Sequence, residues 1–252
     1  MSGPRVALFV TCLADMFRPQ IGFAAATLLE QAGCEVAVPV QSCCGQPAYN
    51  GGDPKDAAAV ARTMIAAFES FDYVVAPSGS CAGMIKHHYP RLLADDPGWH
   101  ARAAALAEKT FELFSFLVRV RGMTAVHAAC PGTAAYHDSC SSLREMGIQA
   151  EPRALLGSVQ GLTLRDIPET EVCCGFGGFF SLKYPEISAR MADDKLAHAQ
   201  STGADTLIGG DLGCLLHLAG RLSRSGAKLR VRHAAELLAG MADDPALGES
   251  RE

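Results

Sequence analysis

The sequence predicts an α/β fold of two pseudo-repeated halves. Each half is a small parallel sheet flanked by helices, with cysteine sites at the carboxyl ends of strands. Three observations carry this expectation. A spaced set of cysteines occurs twice. Short apolar runs alternate with helix-patterned stretches, the order that produces parallel sheets. Each cysteine of the set falls just past one of the apolar runs, where open α/β sheets collect their ligands.

The repeat is read through the cysteines. The first half has Cys12, then Cys43-Cys44-Gly45, then Cys81. The second has Cys140, then Cys173-Cys174-Gly175, then Cys214. The patterns are C-x30-CC-x36-C and C-x32-CC-x39-C, offset by 128 to 133 residues. Cys34 and Cys130 lie outside the pattern and are expected to pack as buried hydrophobes. The expected division is 1–120, a first cysteine-rich half with its connecting helix, and 121–252, the second half.

Taken in order, residues 5–10 form an apolar run that suits a buried parallel strand. Residues 19–31 read as a helix with Ala24, Ala25, Leu28 and Leu29 on one face, closed by Gly33. Residues 34–40 read as the next strand. Pro54 opens a helix to about residue 70, and residues 73–76 form a third strand. Residues 99–120 read as a helix or helix pair joining the halves. The second half repeats the order. It has a strand at 134–137, a weaker helix from 142, a strand at 162–167, a helix at 185–200 and a strand at 206–208. A glycine within 201–204 ends that helix, and the last ten or so residues are expected to fray.

Composition narrows the function. The chain has 252 residues, 49% of them apolar, so it can bury a substantial core. Its formal net charge is −5 and no basic stripe appears, which argues against nucleic-acid binding. No apolar stretch is long enough to span a bilayer, and the N-terminus lacks the layout of a secretory signal. The expectation is a cytoplasmic protein, where disulfides are rare. Ten cysteines in such a chain point to metal or redox chemistry.

Four thiolates per half suit a soft metal or an iron–sulfur cluster. Two adjacent cysteines cannot easily aim at one ion, whereas a multi-iron cluster offers several binding points. The glycine after each pair permits a positive φ. Structural zinc usually shows tight C-x2-C pairs, and neither half has one. Iron–sulfur therefore leads, with zinc and thiol redox chemistry as alternatives.

The doubled pattern resembles the CCG cysteine-rich domain family. That domain occurs in the B subunit of heterodisulfide reductase, in the iron–sulfur subunit of glycolate oxidase and in a small stand-alone form associated with lactate utilization. The stretches LFVTCLADMFRP, SCCGQPAYNGGDP, PSGSC, YHDSC, CCGFGGFFSLKYPEIS and GGDLGCLLHLAGRLSR are most similar to the stand-alone form. The resemblance spans roughly residues 5–240. It implies one or two iron–sulfur clusters of the four-iron (4Fe–4S) kind, held by Cys12, Cys43, Cys44, Cys81, Cys140, Cys173, Cys174 and Cys214. It also implies an electron-transfer subunit of a complex oxidising L-lactate or a related 2-hydroxy acid. Its partners would be ferredoxin-like iron–sulfur and other subunits of that complex.

The longest family versions end each half in C-x-x-C, but here Ser78 and Asp211 stand at the first of those positions. Asp211 either adds an oxygen ligand or caps the following helix. The chain lacks the C-x2-C-x2-C-x3-C-P run of bacterial ferredoxins, so it must exchange electrons with another polypeptide. The rivals are a disulfide-reductase-type catalytic subunit and a zinc-stabilised interaction module.

Other residues are weaker candidates. His137 and His217 flank Cys140 and Cys214 by three positions, and could tune a cluster, move a proton or serve structure. His87 and His88 read as surface. Gly175-Phe176-Gly177-Gly178 fits no nucleotide fingerprint, so its expected role is to wrap backbone around the second site, with no NAD or FAD. Lys183 and Arg190 either stabilise a negatively charged cluster or form a solvated helix face. Asp15, Asp138 and Asp211 form no recognisable carboxylate pair.

Overall fold

The computed structural model describes residues 3–249. The chain divides into two compact units, one ending at Gly122 and the next beginning at Met123.

The first unit holds the strands β1 (Arg5–Leu8), β2 (Glu35–Ala37), β3 (Tyr73–Ala76) and β4 (Thr110–Glu112). They pair in the order β2-β1-β3-β4, all parallel. Central parallel strands are covered on both faces, so they read as unbroken apolar runs. Val6, Ala7 and Leu8 of β1 and Val74, Val75 and Ala76 of β3 are accordingly buried. The helix Gln20–Gln31 buries Ile21, Ala24, Ala25, Leu28 and Leu29. That spacing of three and four is the apolar stripe of a helix lying on a sheet. It ends where Gly33 takes a φ of 77°. The helix Pro54–Phe68 starts where the Asp53 carboxylate accepts from the Asp56 N–H, and it covers the sheet with Ala57, Ala61, Met64, Ile65 and Phe68.

One expectation fails in this unit. Residues 99–120 are not purely helical. The helix Pro97–Glu108 runs into β4, and a short helix (Leu113–Ser115) and a π-helical turn (Phe116–Val120) follow. The three residues of β4 are too few to show a period. Tertiary pairing with β3 decides their conformation, with Thr110 and Glu112 buried.

The second unit repeats the plan with β5 (Ala129–His137), β6 (Gln160–Arg165), β7 (Thr206–Gly209) and β8 (Arg230–His233), in the order β6-β5-β7-β8. Its long helices are Pro185–Ser201, closed by Gly203 at φ 68°, and Leu212–Ser225. The weak helix expected from 142 is a π-helical turn (Ser141–Glu145) followed by a separate helix, Ala150–Leu156. The edge strand β8 escapes sequence reading because it spells Arg-Val-Arg-His, with polar side chains at three of its four positions.

Strand register makes the repeat exact enough to compare residues. Leu8 pairs with Val75 in the first sheet, and Tyr136 with Ile208 in the second. Cys12 and Cys140 each lie four residues past the first partner, and Cys81 and Cys214 each lie six past the second.

The tail is not frayed over its described length. Ala246 and Leu247 are buried, the Leu247 N–H donates to the Val231 carbonyl, and Arg232 donates to the Asp244 carbonyl. The segment thus covers part of the β8 edge, and open edges invite pairing with other chains. Residues 250–252 lie outside the described residues. Truncation after residue 242 is expected to lower the urea midpoint of unfolding and to cause concentration-dependent association in light scattering. An unchanged midpoint would mean that the tail contributes nothing.

Candidate metal centres

Each cysteine group sits where its sheet reverses direction. From β1 the chain crosses to one side to form β2, then returns to the other side as β3. The loops after β1 and β3 therefore diverge and leave a crevice at the carboxyl ends of these strands. Cys12 opens the helix Cys12–Phe17 just after β1. Cys81 lies in the helix Gly79–Gly83 just after β3. Cys43 and Cys44 lie in the loop after β2. The second unit places Cys140, Cys173, Cys174 and Cys214 in the same way relative to β5, β6 and β7.

The four thiols of the first unit converge. Cys12 Sγ lies 3.6 Å from Cys43 Sγ, and Cys44 Sγ lies 3.5 Å from Cys81 Sγ. These separations are far beyond a sulfur–sulfur bond, and all ten cysteines are free. Local structure aims them. Thr11, at a φ of 68°, caps the Cys12 helix by accepting from the Ala14 N–H. A β-branched residue is strained in that region. Ser78 accepts from the Cys81 N–H, so the serine that replaces a family cysteine holds the helix start instead. The buried Tyr89 hydroxyl donates to the Cys44 carbonyl at 2.8 Å. Tyr89 gave no signal in the sequence, because it lies far from any motif.

The second unit brings its four thiols together as well. Cys140, Cys173, Cys174 and Cys214 lie close enough to shift one another's thiols. The Gly175 N–H donates to Cys173 Sγ at 3.4 Å. Ligand atoms of His137, Cys174 and Cys214 all lie within 4.8 Å of one another. The Phe176 ring lies over Gly213, where any Cβ would come within 2.5 Å of it. Gly175, Gly177 and Gly178 all have positive φ, which bends the loop around the site.

Charge is divided unevenly within each group. The Cys12 thiol, which donates to Cys43 Sγ, and the adjacent Cys44 thiol hold Cys43 far below the usual thiol range. Cys140 and Cys174 do the same for Cys173. Their neighbours shift the other way: Cys12 and Cys44 are pushed up by proximity to Cys43, and Cys140 and Cys174 by proximity to Cys173, with burial adding to each. At Cys214 the nearby Cys174 thiol favours the thiolate, but burial and the Asp211 carboxylate outweigh it and raise the thiol. Several crowded thiols that resist ionising together are the donor set a soft cation stabilises, since metal binding displaces their protons.

The weaker candidates separate. Asp211 occupies the N-cap position of Leu212–Ser225 but its side chain makes no capping hydrogen bond. His87 and His88 are half-buried rather than on the surface, on the π-helical turn Met84–His88, with the His88 ring tilted against Tyr49. Arg190 is solvent-facing and paired with Asp194. Lys183 lies 6.0 Å from the Tyr184 ring. The buried cation of this unit is instead Lys195, which donates to the carbonyls of Glu169 and Thr170. Asp15 is exposed, and Asp138 is locked by a bidentate pair with Arg153. Cys34 is buried as expected, but Cys130 is only half-buried, near the start of β5.

The two glycines after the vicinal pairs differ in what they tolerate. A Cβ on Gly45 (φ 83°) meets the flexible Val60 side chain at 3.3 Å, whereas on Gly175 (φ 84°) it meets the Ser188 carbonyl oxygen at 2.5 Å. Both alanine variants carry the left-handed penalty of about 1–2 kcal/mol, and Gly175→Ala adds a backbone clash. Denaturant unfolding and metal titration should show Gly175→Ala as the more destabilised variant, with the second site weakened and the first retained. Equal losses would contradict this assignment.

Comparison with known proteins agrees with this arrangement. The family description "Cysteine-rich domain" (CCG) matches residues 6–86 and 134–219. Lactate utilization protein A of Bacillus cytotoxicus is 49% identical over 235 residues, covering 93% of this chain and 98% of that protein. Lactate utilization protein A 1 of Bacillus cereus is 48% identical with the same coverage. Among solved structures, a hypothetical protein from Helicobacter pylori superposes with a TM-score of 0.66 at 13% identity, over 97% of this chain and 52% of that one. This chain thus spans about half of that protein, and the likeness concerns the fold. Two matched copies and near-full-length relatives place the chain in the CCG cysteine-rich domain family, with the domain present twice.

Proposed function

We propose that this protein is an iron–sulfur electron-transfer subunit of a system that oxidises L-lactate or a related 2-hydroxy acid. The observation that carries the reading is the convergence of two groups of four free thiols, each at the switch point of a parallel sheet. In this reading each half, 1–120 and 121–252, holds one four-iron cluster through its four cysteines. Asp211 acts on Cys214 through its charge. A cluster held in this way supplies a one-electron couple whose potential depends on charge, hydrogen bonds and burial. Ten free thiols suit a reducing compartment such as the cytoplasm. The lactate assignment rests on the near-full-length relatives named for lactate utilization.

Partners are part of the reading. Met16, Phe17, Val38 and Val40 are exposed near the first site in sequence, and Phe179, Leu182, Tyr184 and Ile187 near the second. Exposed apolar side chains in this number suit protein docking surfaces. Ferredoxin-like iron–sulfur and other subunits of a lactate-oxidising complex are the partners the reading requires. No helix among the described residues is long and apolar enough to cross a membrane.

The test is iron and acid-labile sulfide per chain, on protein prepared without oxygen. Wild type should hold about eight irons, and Cys43→Ser and Cys173→Ser about half of that each. Iron absent from all three, before and after reconstitution, would sink the proposal and leave zinc or thiol chemistry.

A further inference from the structure

The repeat allows each position around one centre to be compared with its counterpart around the other. The two shells differ in kind. Three residues before the first cysteine of each group stand Phe9 and His137. The strand registers make these equivalent, because each directly follows the matched residues Leu8 and Tyr136. The glycines after the vicinal pairs provide a second alignment. Gly45 faces Ala57 and Val60, and Gly175 faces Ser188 and Met191. Four residues further along those helices, Met64 corresponds to Lys195. Three residues past the last cysteines, Met84 corresponds to His217. At the corresponding places of the first half stand Phe9, Ala57, Met64 and Met84, all buried and apolar. The second has His137, Ser188, Lys195 and His217 at the same places.

Three of those polar residues have partners that account for them. Lys195 bonds two carbonyls, and Ser188 bonds the Gly175 carbonyl and His217. His137 does not. It is 2% exposed, and neither ring nitrogen has a hydrogen-bond partner. A buried polar group without a partner is costly. Phe9 shows that an aromatic ring without nitrogens fits the same place. The imidazole lies among thiol ligands, its nearest nitrogen within 4.8 Å of both Cys174 Sγ and Cys214 Sγ. A neutral imidazole offers one ring-nitrogen lone pair to a cation. Imidazole and thiolate together form a common ligand set for soft and borderline transition metals.

We infer that the second centre is a mixed imidazole–thiolate site in which His137, beside Cys174 and Cys214, takes the place of one of the four thiolates as a nitrogen ligand, whereas the first centre is held by its four thiolates alone. This deepens the iron–sulfur reading and rests on it for the identity of the metal, but the ligand set can be tested with any thiophilic cation. A neutral imidazole donor, in place of further thiolate charge, raises the reduction potential of an iron–sulfur group. The second centre is therefore the easier of the two to reduce.

The experiment is pulsed electron paramagnetic resonance on full-length, anaerobically loaded and dithionite-reduced protein. Cys43→Ser isolates the second centre and Cys173→Ser the first. The expected result is a nitrogen hyperfine coupling of the size of a bound imidazole in Cys43→Ser, absent in Cys173→Ser and lost when His137→Phe is added. His137→Leu serves as a second variant should the phenylalanine fail to fold. In the metal-free state both variants should unfold at a urea midpoint no lower than their parent, because they remove an unpartnered buried group. Redox titration should show the higher of two potentials in Cys43→Ser, falling on His137→Phe. Iron present without the imidazole coupling, or a coupling that survives both substitutions, overturns the inference while leaving the cluster reading intact. Should no iron bind, the cluster reading fails and cobalt(II) titration of Cys43→Ser decides the ligand set. A cobalt spectrum that changes with His137→Phe upholds the inference, and one that does not overturns it.

Discussion

Each half of this chain has to gather four thiols at one point. Thiols in contact cannot all ionise, and those that stay protonated must share hydrogen bonds in a half-buried place. The fold meets this constraint by fixing backbone before side chains. Parallel pairing of β1 with β3, and of β5 with β7, sets the two loops that carry the outer cysteines on either side of one crevice. The left-handed glycines after the vicinal pairs turn the third loop inward. Thr11, Ser78 and the Tyr89 hydroxyl then hold the individual cysteine backbones in place. Change the register of either central pair and the crevice would no longer line up with its ligands.

This dependence explains what could be read from the sequence. Central strands and their covering helices announce themselves through burial, as in Val6-Ala7-Leu8 or the stripe from Ile21 to Leu29. The cysteines do so through repetition. The edge strands do not. β4 is three residues long, and β8 is held by its neighbour and the tail rather than by its own pattern. Lys195 and Tyr89 were equally silent. Each reaches its site from a helix whose sequence period is set by other contacts, so only the fold reveals their direction. Arg190 was legible as a charge near the second site, yet it turns to solvent and to Asp194.

Duplication produced the same scaffold twice, but the surroundings of the two thiol groups diverge. The first half has phenylalanine, methionine and alanine at these places. The second is lined by histidine, lysine and serine, beside Asp138, whose buried carboxylate is paired with Arg153. Low-dielectric surroundings amplify such differences.

The most direct test of the central claim is X-ray absorption at the iron edge of the anaerobically loaded protein. The account predicts sulfur neighbours together with an iron–iron scattering shell, the sign of iron held as clusters by these thiols. Sulfur neighbours without any iron–iron shell would contradict it, because the two thiol groups would then be holding single ions.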